Sequence, residues 1–193
     1  MAIFTDTFTD TDATANYTRT GWALLGAGTS GARILSNNLQ IIGNTDGGFE
    51  GHDHGGADHY AQATLGAGAL GIYRGLVAVR ATDRASFYEA AYNTGTSKWE
   101  IWDENAAIGV AGSTSTQSAG DVLRMEANGT TITLKINGST IVTATNSGNT
   151  DTKVGFRTNH NTAYNDYYRD WESGLLSDVG GGSTFVPQVI MVL

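Results

Sequence analysis

Residues 121–145 read DVLRMEANGTTITLKINGSTIVTAT, and this stretch decides the fold. Two Asn-Gly dipeptides, Asn128-Gly129 and Asn137-Gly138, each divide two runs in which apolar and polar residues alternate. Tight hairpin turns demand positive φ, which Asn and Gly tolerate, so Asn-Gly between such runs signals a β-hairpin. Three strands follow: Asp121 to Ala127, Thr130 to Ile136 and Ser139 to Thr145. Placing Ala127 opposite Thr130 sets Met125 against Ile132 and Leu123 against Leu134, and the second turn sets Leu134 against Ile141. One face then stacks Leu123, Met125, Ile132, Leu134, Ile136 and Ile141, while Arg124, Glu126, Thr131, Thr133 and Lys135 point the other way. This is an antiparallel sheet with one buried face.

The rest of the chain repeats the pattern. Short strand candidates lie at Trp22 to Gly26, Arg33 to Leu35, Leu39 to Ile42, Ala57 to Leu65, Gly75 to Ala81, Ser86 to Asn93, Lys98 to Glu104, Lys153 to Thr158 and Asp166 to Glu172. Gly43 to Gly56 reads as a Gly-rich acidic loop. Strands at this spacing, with no helical period between them, argue for a sandwich or barrel. Composition agrees, with 26 Gly, a single Pro and no Cys among 193 residues. A chain of this length buries a full core without disulfide staples, and the missing thiols exclude thiolate catalysis and zinc-thiolate sites.

Net charge is -8 and the basic residues are scattered, so no phosphate-binding surface forms and nucleic acid is not an expected partner. The first residues, MAIFTDTFTDTD, carry neither the basic nor the apolar region of a signal peptide. No apolar run approaches the ~20 residues that cross a bilayer, so no membrane partner is expected. A phosphate-cradling Gly-rich loop is absent too, since Gly-Gly-Gly-Ser at 180–183 precedes no helix signal.

Several segments in order carry a resemblance. They are Asp58-His59-Tyr60-Ala61, Gly75-Leu76-Val77-Ala78-Val79-Arg80, Phe87-Tyr88-Glu89, Gly120-Asp121-Val122-Leu123, Ile136-Asn137-Gly138-Ser139, Val154-Gly155-Phe156 and Tyr167-Tyr168-Arg169-Asp170-Trp171-Glu172. The succession resembles the concanavalin A-like lectin/glucanase superfamily, specifically its laminin-G-like jelly rolls, which are also found in phage structural proteins. The resemblance implies an all-β, antiparallel two-sheet jelly-roll sandwich over residues 1–176. A Gly/Ser linker at 177–184 and an apolar strand at 185–193 would follow it.

Four groups of residues are candidates for function. Trp99-Glu100-Ile101-Trp102-Asp103-Glu104 is similar to the catalytic strand of the superfamily's glucanases, yet Glu100 and Glu104 on one strand stand about 13 Å apart at strand rise. Retaining hydrolysis needs about 5–5.5 Å, so no catalytic residues are assigned and a non-enzymatic protein is expected. Asp46, Glu50, His52, Asp53, His54, Asp58 and His59 form an acidic, His-rich segment, and laminin-G-like domains often bind calcium at a sheet edge. A solvated loop without metal is the expectation, with Asp46, Glu50, His52, Asp53 and His54 as the calcium candidates. Among the aromatics, Tyr164 stands in an amide-rich loop with His160, Asn161 and Asn165, the candidate glycan contacts.

Phe185, Val186, Pro187, Val189, Ile190, Met191, Val192 and Leu193 make the last segment apolar on both faces of a strand, so it wants a ladder partner. It either returns to its own sandwich or adds to a neighbouring subunit's sheet. The resulting expectation is a homo-oligomeric virion structural protein, a capsid decoration or cement protein or a tail or fibre component, contacting other virion proteins. The alternative is a carbohydrate-binding, lectin-like module.

Overall fold

The computed structural model describes residues 3–9, 21–24, 32–41, 49–67, 77–83, 86–104, 106–157 and 164–181. Within them run β1 (Phe4–Asp6), β2 (Ala23–Leu24), β3 (Ala32–Leu35), β4 (Asn38–Ile41), β5 (Phe49–Asp53), β6 (His59–Leu65), β7 (Ala78–Asp83) and β8 (Ser86–Asn93). There follow β9 (Lys98–Asp103), β10 (Ala107–Val110), β11 (Val122–Asn128), β12 (Thr131–Ile136), β13 (Ser139–Thr145), β14 (Lys153–Arg157) and β15 (Tyr164–Leu175). A 3-10 helix, Leu176–Gly181, begins where the Gly/Ser linker was expected.

The strands form two antiparallel sheets. The first runs β13-β12-β11-β6-β15-β4-β3 with β1 also on β15, and the second runs β10-β9-β8-β7-β14-β5-β2. One apolar cluster fills the space between them: Leu123, Met125, Ile132 and Leu134 come from the first sheet, Val79, Trp99, Ile101 and Val154 from the second. At one end Trp22, Phe156, Tyr168 and Trp171 pack edge to face, with ring centroids 5.0–6.1 Å apart. Asp6 closes that end by accepting from Trp22 Nε1 and from the Phe8 amide, each at 2.8 Å. The two-sheet jelly roll is the expected fold.

The hairpins differ from expectation in register. Asn137 and Gly138 are the central pair of the second turn, both with positive φ, as the dipeptide requires. In the first, Asn128 pairs with Thr131, so Gly129 and Thr130 turn the chain and positive φ falls on Gly129 alone. That is the type II′ arrangement, and it moves Met125 opposite Leu134 and Leu123 opposite Ile136. Tertiary bonds hold it there: the Gly129 amide donates to Asp58 Oδ1 and its carbonyl accepts from Arg80. Partners shift by two residues, so the faces keep their identity, and Leu123, Met125, Ile132 and Leu134 are fully buried.

A bulge between Leu134 and Lys135 has the opposite consequence. Leu134 faces Val142, and not Ile141, so Val142 and Ala144 enter the core while Ile136 and Ile141 pack at its margin. Val142 and Ala144 stand against β10. A Cβ on Gly109 would lie 2.9 Å from Val142 Cγ1, so only glycine lets the edges of the two sheets close here.

β5 lies inside the expected 43–56 loop. The segment's Gly and His content hides a strand whose pairing comes from β14 and β2, neither adjacent in sequence. β15 runs on through Ser173, Gly174 and Leu175, and a Cβ on Gly174 would meet the Tyr60 ring at 3.2 Å. Arg80, 2 % exposed and with φ +52°, ties the loops at one end of the sandwich. Its side chain donates to Ala57, Gly129 and Asn149 carbonyls and to Asp58, at 2.6–3.2 Å.

Candidate functional site

The β8–β9 hairpin sends Tyr88, Ala90, Tyr92, Trp99 and Ile101 into the core. Strand alternation therefore puts Glu89, Ala91, Asn93, Lys98, Glu100 and Trp102 on the outer face of the second sheet. Glu89 pairs with Trp102, Ala91 with Glu100 and Asn93 with Lys98. Glu89 and Glu100 are thus diagonal neighbours, whose Cα atoms stand about 7–8 Å apart in such a ladder.

Register extends this row across the whole sheet. Ala107 pairs with Trp102, Trp102 with Glu89, Glu89 with Ala78, Ala78 with Gly155, Gly155 with Gly51 and Gly51 with Ala23. Only Trp102 and Glu89 have large side chains. Beside them the row is alanine and glycine for four strands, and Ala78, Gly155 and Gly51 within it are buried.

Hydrogen bonds organise the larger side chains. Glu100 accepts from Asn93 Nδ2 at 2.9 Å through Oε1 and from Trp102 Nε1 at 2.5 Å through Oε2. The carboxylate pins the half-buried indole along the strand and fixes the carboxamide. Glu89 lies beneath, fully buried, and Glu100 is nearly so. An indole held by its N–H, with a carboxamide and carboxylates at its side, presents an apolar surface and hydrogen-bonding groups together.

The sequence candidates are distributed differently. Glu104 lies beyond the end of β9, so the Glu100 to Glu104 spacing along one strand has no part in the site. His160 and Asn161 lie outside the described residues, and so do Asp46 and the assembly residues Phe185, Val186, Pro187, Val189, Ile190, Met191, Val192 and Leu193. Tyr164 and Asn165 open β15. Glu50 is in β5, paired with Phe156.

Of the calcium candidates, His52 and Asp53 turn apart. His52 turns inward and stacks on Phe4, centroids 4.1 Å apart, while Asp53 turns outward to Thr152 Oγ1 and the Gly55 amide. Those two bonds hold the Asp53 carboxyl below its ordinary value. Among the described residues no group of three or more His, Cys, Asp or Glu side chains suits a metal ion.

Instead His52, His54 and His59 form a row between the sheets, with centroids 4.7 and 6.4 Å apart. Burial, then the neighbouring His52 and His59, push His54 down to about 4. His59 is lowered as well, by burial and then by Arg80, against the opposing bond to Gly56. Its Nε2 accepts from the Arg80 amide at 3.0 Å, so its Nδ1 carries the proton donated to the Gly56 carbonyl. His54 and His59 are therefore neutral at neutral pH.

No known protein-family profile matches the sequence, and no curated protein matches it. Solved structures do. A carbohydrate-binding module, CBM66 from Bacillus subtilis, aligns at TM-score 0.51 and 14% identity over 80% of this chain and 92% of its own. The β-glucanase of Bacillus licheniformis aligns at 0.55 and 11% over 90% and 98%. The carbohydrate recognition domain of Emp47p aligns at 0.55 and 8% over 90% and 94%. At 8–14% identity the likeness is one of fold, a two-sheet antiparallel jelly roll.

Proposed function

We propose that the protein is a glycan-binding, lectin-like domain whose site is the outer face of β8 and β9. The observation that carries this reading is the half-buried Trp102, pinned by Glu100 with Asn93 bonded alongside on one sheet face. Trp102 offers a face for the C–H surface of a pyranose, and Asn93 and Glu100 offer hydroxyl partners. Carboxylates at the site and a net charge of -8 favour a neutral sugar over an anionic one.

Binding is preferred over hydrolysis because both oxygens of Glu100 already accept donors from its own sheet face. A general acid has to carry its proton to the leaving oxygen. A glycan array on the full chain, followed by titration calorimetry, tests the reading: a neutral oligosaccharide should bind, and Glu100→Gln should weaken it about tenfold, the loss of one charge-assisted bond. An array without a hit, or cleavage of the bound sugar, would sink it.

A second reading adds assembly to binding. Residues 185–193 are almost wholly apolar in sequence, which favours a homo-oligomer and a structural role such as a virion component. Light scattering on the full chain and on one ending at Ser177 tests it. An oligomer that truncation converts to a folded monomer supports the reading, and a monomeric full chain ends it.

A further inference from the structure

Asn-Gly is the dipeptide in which a backbone nitrogen most easily reaches the preceding carboxamide, because glycine puts no side chain in the way. This chain places two copies in consecutive hairpins, and their surroundings differ. Asn137 is locked: its Oδ1 accepts from the Val122 amide, its Nδ2 donates to Asp121 Oδ1 and its own amide donates to the Val122 carbonyl, each at 2.9 Å. Asn128 is exposed at the end of β11, and its carboxamide makes no hydrogen bond among the described residues. Its neighbour's nitrogen is fixed instead, since the Gly129 amide donates to Asp58 Oδ1 at 2.8 Å. Asn128 also lines an open cleft of about 570 Å³ with Gly56, Ala57, Asp58, Leu175 and Leu176, so water reaches it.

We propose that Asn128 is a deamidation site of the folded protein and that Asn137 is protected. The Gly129 nitrogen loses its proton to base and attacks Cγ of Asn128. A C–N bond forms, the side-chain amide leaves as ammonia, and a cyclic imide remains. Water then opens the imide at either carbonyl, giving aspartate or, with the chain routed through Cβ, isoaspartate. Either product sets a new carboxylate in the cleft beside Asp58, whose bonds to Gly129 and Arg80 hold the first turn. Conversion at Asn137 first requires the loss of two carboxamide bonds.

Peptide mapping by mass spectrometry with isoaspartate detection tests this on the full chain, incubated at mildly alkaline pH both folded and in guanidinium. The rate at each asparagine in the folded state is divided by its own rate in the unfolded chain. The ratio at Asn128 should exceed that at Asn137 several-fold, since two carboxamide bonds must break at Asn137 and one amide bond, Gly129 to Asp58, at Asn128. Equal ratios, a larger ratio at Asn137, or an intact Asn128 after the unfolded chain has converted would overturn the proposal. Asp121→Ala provides a second reading: with the Nδ2 acceptor gone, conversion at Asn137 should rise several-fold, and an unchanged rate there would refute the protection.

Discussion

The outer faces of the two sheets carry similar residues and use them differently. On the first sheet, Arg124 bonds Glu126 at 2.6 Å and Gln62 at 3.1 Å and lies 3.7 Å above the Tyr60 ring. Lys135 meets the same Glu126 at 2.8 Å, and the Tyr60 hydroxyl donates to Glu172 at 2.7 Å. Cations cover the carboxylate and the aromatic face, so the set is internally matched. On the second sheet, Glu100 is held by an indole and a carboxamide, next to a strip without large side chains. Charged groups that neutralise one another belong to the scaffold, while a half-buried indole held by a carboxylate is the surface proposed for a ligand.

The largest effect expected from breaking this contrast is at Trp102. Trp102→Ala should cost about a hundredfold in glycan affinity, the scale of a buried aromatic anchor, with little change in Tm because the residue lies outside the core. Calorimetry and a thermal melt on one sample measure both. Equal affinity for wild type and variant would remove the second sheet's face from function.

Acid separates the scaffold's parts. His54 and His59 have folded pKa values depressed below 6.5, so between 6.5 and about 4 the unfolded chain binds more protons. Stability is therefore complete above the unfolded value and falls as pH drops through that window, by about 2 kcal/mol or roughly 4–8 °C in Tm. For Glu126, burial raises the carboxyl, but bonds from Lys135 and Arg124 outweigh it and leave the pKa below 4.5. Its contribution is present above 4.5 and is lost only at lower pH. Melts from neutral to acid should show the histidine step first, and a Tm flat down to the carboxylate range would contradict the buried imidazole row.

Smaller effects sharpen the contrast from the other side. Arg124→Ala should lower stability by about 1–2 kcal/mol, since it strips bonds from a partly buried carboxylate and uncovers Tyr60. Tyr60→Phe, which leaves Glu172 one donor short, should cost about 1 kcal/mol. Denaturant melts report both, and glycan affinity should stay the same in each. A loss of binding in either variant would mean that the first sheet's face takes part.

Much of the scaffold was legible locally. Alternation in residues 121–145 marked three strands and sorted Leu123, Met125, Ile132 and Leu134 from Arg124, Glu126 and Lys135, because side-chain period depends only on the strand's own backbone. Ile141 was misplaced, since the bulge at Leu134 and Lys135 answers to the packing of β13 against β10, which lies in the other sheet. β5 was hidden for the same kind of reason: a polar, Gly-rich segment becomes a strand when β14 supplies its ladder.

The site shows the limit most clearly. Glu89 and Glu100 lie eleven residues apart in sequence, and only the β8–β9 register makes them neighbours with Trp102 opposite Glu89. The alanine and glycine strip comes from β7, β14, β5 and β2, whose pairing is set by long-range ladders. Sequence determined the all-β class, the hairpins and the inward and outward faces, each a property of neighbouring residues and their φ preferences. Tertiary structure decided which strands lie side by side, and with that which polar groups pair on the first sheet and which stand beside alanine and glycine on the second.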